Sequence, residues 1–415
     1  MLGQVLARLR ARYPDMELRG LGGAAAIACG LEPLVPLERT AVSGAWDVLR
    51  RAVSILGVYR VAMATLERFR PDLVLLVDYP GLNLRLARRA RALGFPVQFI
   101  APPQAWAYRQ AEKRTRRAVR ALEGCAVHVL FPFEAPAFAA SAHRVTAGHF
   151  LVTETAMRPE APAGGAPGNP ILCLCPGSRL PVLRRNLPVW LDRLLGEDPP
   201  PPWETQILVP AHLEGEATSL VRSFLSHRSN RSRRMDRRVN RRQDFRAVQS
   251  SLGAQAGMDG MPPAPSLRVR TDKDPALVEA SWAVAYPGTI TLELALRRVP
   301  ALVLAVLDPL TLAVGRRILA HPHRLGLPNL LLGEDLFPEW AGSAANLTRE
   351  DLHRGIGALQ ARKPAWDGAW ESIQRRLEAV IGTGNGAEIC ARECLAMLET
   401  AGNTVENLAK AQIAL

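Results

Sequence analysis

The chain has 415 residues, 48% of them hydrophobic, and carries 52 lysines and arginines against 39 acidic residues, a formal charge of +13. That length exceeds what one hydrophobic core supports and predicts two domains, while a mean hydropathy of +0.01 permits a large buried core. No stretch supplies the roughly 18 uncharged apolar residues of a spanning helix, and six cysteines are too few for a disulfide framework.

Met1 leads directly into the amphipathic Leu2 to Tyr13, so no signal peptide is expected. Apolar runs then alternate with helical patterns as in parallel α/β sheets. Strands are predicted near Glu17 to Arg19, Leu73 to Val77, Val97 to Ile100, Ala126 to Leu130 and Arg144 to Thr146. Between them, Ala45 to Phe69 has apolar residues at helical spacing with arginines opposite. Burial against a sheet explains that pattern; so does lying on anionic lipid. Leu84 to Leu93 is a second predicted helix. Together these make an amino-terminal Rossmann-like domain, residues 1–158, followed by an Ala/Gly/Pro-rich linker at 159–170.

A second Rossmann-like domain is predicted at 171–382, with strands near Ile171 to Cys175, Gln206 to Val209, Leu267 to Arg270, Ala283 to Ala285 and Ala301 to Val303. Ser226 to Pro265 interrupts it. Ten arginines stand between Arg222 and Arg246 against Asp236 and Asp244, hydrophobic periodicity is absent, and disorder is expected there. Most of the excess charge is therefore local. Helical patterns at 350–359, 366–381 and 387–400 close the chain, residues 383–415 forming a last helix and tail.

Two short runs carry the chemistry. Pro176-Gly177-Ser178-Arg179 and Pro287-Gly288-Thr289-Ile290-Thr291-Leu292-Glu293 each sit where a strand gives way to a helix. Helix N-termini with small residues present N–H groups to phosphate. Arg179 adds a permanent, forked charge, and Glu293 is placed to accept hydrogen bonds from a ribose, so the pair points to a nucleotide-diphosphate site. Asp78 ends an apolar strand at a Pro-Gly turn on the edge where α/β sheets bind ligands, as a general base or as a turn former. Trp106 and Tyr108 offer aromatic faces to a sugar or acyl chain, or pack. His149, after Gly148, contacts phosphate or fills a structural place. The cysteine pairs Cys173/Cys175 and Cys390/Cys394 lack a usual zinc spacing, and neither a metal nor a cofactor is expected.

Five runs recur in an order and spacing that resemble lipid-A-disaccharide synthases: Val77-Asp78-Tyr79-Pro80-Gly81-Leu82-Asn83, Ala101-Pro102-Pro103-Gln104-Ala105-Trp106-Ala107-Tyr108-Arg109, Leu130-Phe131-Pro132-Phe133-Glu134, Gly148-His149 and Gly326-Leu327-Pro328-Asn329. The resemblance runs from about Leu2 to Leu398, with a gap in the middle. It implies an inverting glycosyltransferase of GT-B architecture, two Rossmann-like domains facing across a cleft. UDP-2,3-diacylglucosamine would be the donor, 2,3-diacylglucosamine 1-phosphate the acceptor, and a β-1,6 disaccharide with UDP the products. By that resemblance Asp78 and Arg179 are catalytic. Gly177, Ser178, Arg179, Gly288, Thr289, Thr291, Glu293 and Asn329 serve the nucleotide, and Asn83, Trp106, Tyr108 and His149 the acceptor and its acyl chains. It also implies a cytoplasmic enzyme peripheral on the anionic inner-membrane surface of a Gram-negative bacterium, allows a homodimer, and implies no nucleic-acid partner.

Three departures stand against the family pattern. Its opening strand and Gly-rich turn are missing, which predicts a first sheet without its central strand. The Arg-rich segment is long, and Leu304-Ala305-Val306-Leu307 replaces a Tyr and a basic residue. Gly81 also stands where many relatives have a second acid. An impaired relative is one alternative. Another is a different UDP-sugar GT-B enzyme, an N-acetylglucosaminyltransferase or an epimerase, against which the Asp78 and Trp106 motifs argue. A nucleic-acid-binding protein using the arginines is the third, and it lacks interleaved aromatics.

Overall fold

The computed structural model describes residues 1–34, 45–153, 170–196, 203–228, 266–400 and 412–414, without the side chains of 45–56, 363–364 and 412–414. The linker expected at 159–170, but for its last residue, and nearly all of the Arg-rich segment lie outside those residues.

The first sheet contains β1 (Glu17–Gly20), β2 (Leu31–Pro33), β3 (Leu73–Val77), β4 (Val97–Ile100), β5 (Ala126–Val129) and β6 (Arg144–Ala147). The second contains β7 (Ile171–Cys175), β8 (Glu204–Leu208), β9 (Leu267–Arg270), β10 (Trp282–Ala285), β11 (Ala301–Val306) and β12 (Glu339–Gly342). Their orders are β2-β1-β13-β3-β4-β5-β6 and β12-β11-β10-β7-β8-β9, where β13 is Gln412–Ala414. Every pairing is parallel. Such sheets need helices on both faces, which is why strands such as Leu-Val-Leu-Leu-Val at 73–77 are continuous apolar runs.

The helices are α1 (Leu2–Arg12), α2 (Ala24–Ile27), α3 (Ala45–Phe69), α4 (Pro80–Ala92), α5 (Ala111–Ala121), α6 (Leu180–Leu195), α7 (214–228), α8 (Lys273–Glu279), α9 (Thr289–Leu296), α10 (Pro309–Ile318), α11 (Leu327–Leu332), α12 (Arg349–Ile381) and α13 (Gly386–Thr400). In α3, Val58, Ala62 and Leu66 are buried at four-residue spacing in the core beside α4. The burial reading holds for that half, with Val61 exposed beside it. Leu130, expected to end the strand at 126–130, lies just past β5, which stops at Val129.

Three expectations change. The first sheet has no vacant centre: Gln412–Ala414 lies between β1 and β3, paired to both. The two helices expected at 350–359 and 366–381 form one, α12, opened by a capping box in which Thr348 Oγ1 accepts from Asp351 N at 3.1 Å. Lys363 and Pro364 do not divide it. Two short strands, β2 and β12, extend the sheets beyond the predicted sets.

Helix α13 packs on α1 and on β6 and β3, so the chain returns to its first unit. Arg144 Nη1 donates to Glu393 Oε2 at 3.0 Å, and Gly386 N donates to the His149 carbonyl at 3.3 Å. A Cβ at Gly386 would stand 2.5 Å from the Gly148 carbonyl oxygen. Glycine is what permits this approach. Among the described residues no helix is long and apolar enough to cross a membrane.

Candidate functional site

Both phosphate-type turns open onto one cavity of about 530 Å³ at the carboxyl edge of the second sheet. Gly177, Ser178 and Arg179 line one side, and Gly288, Thr289 and Glu293 another. The convergence follows from the topology: β7 and β10 are neighbours, so their outgoing turns lie side by side.

Each turn has a glycine for a physical reason. Gly177 has φ +113°, and a Cβ there would meet Val182 Cγ1 at 2.6 Å. Gly288, at φ +156° and ψ −168°, caps α9 in a conformation reserved for glycine. A Cβ on it would meet nothing within 4 Å. Its open side leaves the N–H groups at the start of α9 accessible. Arg179 is exposed at the N-cap of α6, and among the described residues no carboxylate pairs with it.

Other predicted residues hold the site rather than face it. Thr291 is fully buried; its hydroxyl donates to the Gly288 carbonyl at 2.8 Å and accepts from Leu327 N at 3.1 Å. Asn329 donates to Glu339 Oε1 at 2.8 Å, and the Glu339 carboxylate receives Leu325 N and Gly326 N. Burial raises the Glu339 carboxyl above its ordinary range, against those donors. One connected set of bonds thus braces the second turn from behind. Glu293 lines the cavity but already holds Lys273 Nζ at 2.9 Å and Arg297 at 3.4 Å.

Lys273 was not expected. It stands at the start of α8, lines the cavity and brings an ammonium to its wall. The available signal was composition: it is one of four lysines in a chain whose other basic residues are arginine. Tyr286 lines the same cavity, its phenol raised by burial.

Asp78, Asn83, Trp106, Tyr108 and His149 do not line this cavity. They follow strands β3 to β6 at the carboxyl edge of the first sheet. Asp78 is exposed, and Asp78 and Tyr79 take φ values of +50° and +47°. Two such residues in succession are strained. The Asn83 amide braces them by donating to the carbonyls of Val77 at 3.1 Å and Asp78 at 2.9 Å. Tyr108 lies under the Arg114 guanidinium at 4.2 Å.

His149 is 3% exposed, its Nδ1 accepting from Leu151 N at 3.1 Å. Burial lowers it to about 4, so the ring is neutral and structural in this conformation. Trp106 donates from its indole to Glu134 Oε1 at 2.9 Å. Its loop reaches the second unit: Arg109 N donates to the Ile318 carbonyl and Ala320 N to the Ala107 carbonyl, both at 3.0 Å. Cys173 and Cys175 lie inside β7 with Sγ atoms 3.8 Å apart.

The family model described as lipid-A-disaccharide synthetase matches residues 1–195 and 264–363. A lipid-A-disaccharide synthase of Acidobacterium capsulatum is 30% identical over 83% of this chain and 81% of its own length. One from Nitrosococcus oceani is 32% identical over 79% of this chain and 75% of its own. Among solved structures, the calicheamicin glycosyltransferase CalG4 superposes with a TM-score of 0.51 at 14% identity, covering 96% of this chain and 94% of its own. That likeness is one of fold, GT-B.

Proposed function

The chain belongs to the lipid-A-disaccharide synthase family, a family of glycosyltransferases, and we propose that it transfers 2,3-diacylglucosamine from UDP-2,3-diacylglucosamine to 2,3-diacylglucosamine 1-phosphate. A β-1,6 link forms and UDP leaves. The observation that carries this reading is the single cavity onto which both turns open, with Arg179 and Lys273 at its wall. An anion seated there meets the N-termini of α6 and α9 and two cations.

In the proposed reaction the acceptor hydroxyl attacks the anomeric carbon as the diphosphate departs. Charge growing on the leaving phosphate is balanced by Arg179, by Lys273 and by N–H groups around Gly177 and Gly288. Asp78 takes the hydroxyl proton; its exposure on the carboxyl edge of the first sheet supports that role. Glu293 sets Lys273, and Thr291 and Asn329 hold the second turn. Trp106, Tyr108 and Asn83 belong to the acceptor side, Asn83 through the Asp78 turn.

The domain division is proposed as 1–158 and 171–382, with 383–415 returning to the first. Attachment to the inner-membrane surface is part of the same reading. Lys113, Arg114, Arg116, Arg117 and Arg120 are all exposed on α5, next to the aromatic loop, a surface suited to anionic lipid.

Calorimetric titration with UDP tests the site. Arg179→Ala is expected to weaken UDP about 10- to 100-fold, the worth of one charge-assisted contact. Unchanged affinity would remove Arg179 from the phosphate role.

A further inference from the structure

We propose that Glu134 is a positioning residue for the acceptor-side aromatic loop, and that it holds the loop only as a carboxylate. This deepens the transferase reading and rests on it for the kinetic consequence. Glu134 is 9% exposed, and each of its oxygens receives a different donor. Oε1 accepts from the Trp106 indole at 2.9 Å, and Oε2 accepts from Phe131 N at 3.1 Å. A carboxylate accepts at both oxygens without conflict. A protonated carboxyl keeps one carbonyl oxygen and offers the other N–H only a hydroxyl oxygen, a weaker acceptor, and an amide has replaced one oxygen with NH₂, which cannot accept. The acid therefore weakens one of the two bonds, and the amide opposes one.

The Trp106 bond is the only one of the two that reaches outside the turn. Trp106 packs edge-on against Phe131 at 5.8 Å and Phe133 at 5.6 Å, and those rings stack at 5.5 Å. A residue later, the loop begins its backbone bonds to Ile318 and Ala320. Glu134 therefore fixes the orientation of the segment that joins the first sheet to the second unit. Packing alone leaves the indole free to pivot on the phenyl faces; the carboxylate gives it one angle.

Burial raises the Glu134 carboxyl to about 7, opposed by the N–H groups of Phe131 and Leu130 and the Trp106 indole. The other titratable groups of the cluster are His149, whose ring is 5.4 Å from Phe131, and His128 behind it. Burial holds both near 4, so they stay neutral while Glu134 titrates. The ionised, bond-accepting form gains population as pH rises through about 7 and is lost as pH falls below it.

The test joins a spectroscopic and a kinetic readout on the full chain. The indole ¹H–¹⁵N resonance of Trp106, identified by its loss in Trp106→Phe, is followed from about pH 5.5 to about 8.5. It is expected to shift with a midpoint near 7 in the wild type and to be pH-independent in Glu134→Gln. Acceptor KM is expected to rise about tenfold in Glu134→Gln at pH 8, with UDP affinity unchanged, and to lose its dependence on pH. Trp106→Phe and Glu134→Gln should be non-additive, because both remove one bond. A Trp106 resonance that does not titrate, or additive effects of the two substitutions, would overturn the proposal. A titrating resonance in a protein that transfers no sugar would refute the transferase reading and support the positioning one.

Discussion

Gly177 and Asn329 show what single residues could and could not announce. A Pro-Gly-Ser-Arg run after an apolar strand is readable because only a small residue suits such a turn, and φ +113° with Val182 Cγ1 at 2.6 Å from a would-be Cβ is the physical form of that requirement. Gly177→Ala is expected to destabilise the fold by about 1–3 kcal/mol and to weaken UDP at least tenfold, because the turn must move to admit the methyl group. Thermal unfolding with UDP titration checks both; full affinity would mean that the turn does not carry phosphate. Asn329 was expected among the nucleotide residues; its bond to Glu339, ten residues away on β12, was not legible. Glu134 sat inside a recognised run without a role. Its burial and its bond to Trp106, 28 residues away, exist only in the fold.

Elements were legible where several residues repeated one signal. Strands of four or five buried apolar residues and helices with a buried stripe fall close to their predicted places. β2 and β12, with three and four residues, carry too little periodicity. β13 depends on nothing local: Gln-Ile-Ala is a strand because β1 and β3 offer unpaired edges on both sides of it. Deleting 412–414 is expected to lower stability by at least about 2 kcal/mol, roughly 4 °C or more in Tm, since two central ladders lose their partner. Circular dichroism melting measures this, and an unchanged Tm would show that the strand contributes nothing to the sheet. Helix α12 was misread in the other direction. Two separate helical patterns, 350–359 and 366–381, were expected, yet packing of Trp366, Trp370, Ile373 and Leu377 on one side and Leu352, Ile356 and Leu359 on the other keeps one helix in the core.

At the scale of the whole molecule, two all-parallel sheets flanked by helices make the GT-B plan; alternation of strand and helix patterns predicted the two Rossmann-like units, and the family resemblance supplied their GT-B arrangement. Convergence of the two turns was a consequence of strand order, β10 beside β7, which no local pattern states. The recruitment of Lys273 followed from β9 and α8 delivering it to the same edge. Hydrogen–deuterium exchange with and without UDP tests the central claim most directly. The account predicts protection of 176–183 and 287–293 together, in the same UDP concentration range. Protection of one turn without the other, or protection confined to the first sheet, would contradict it.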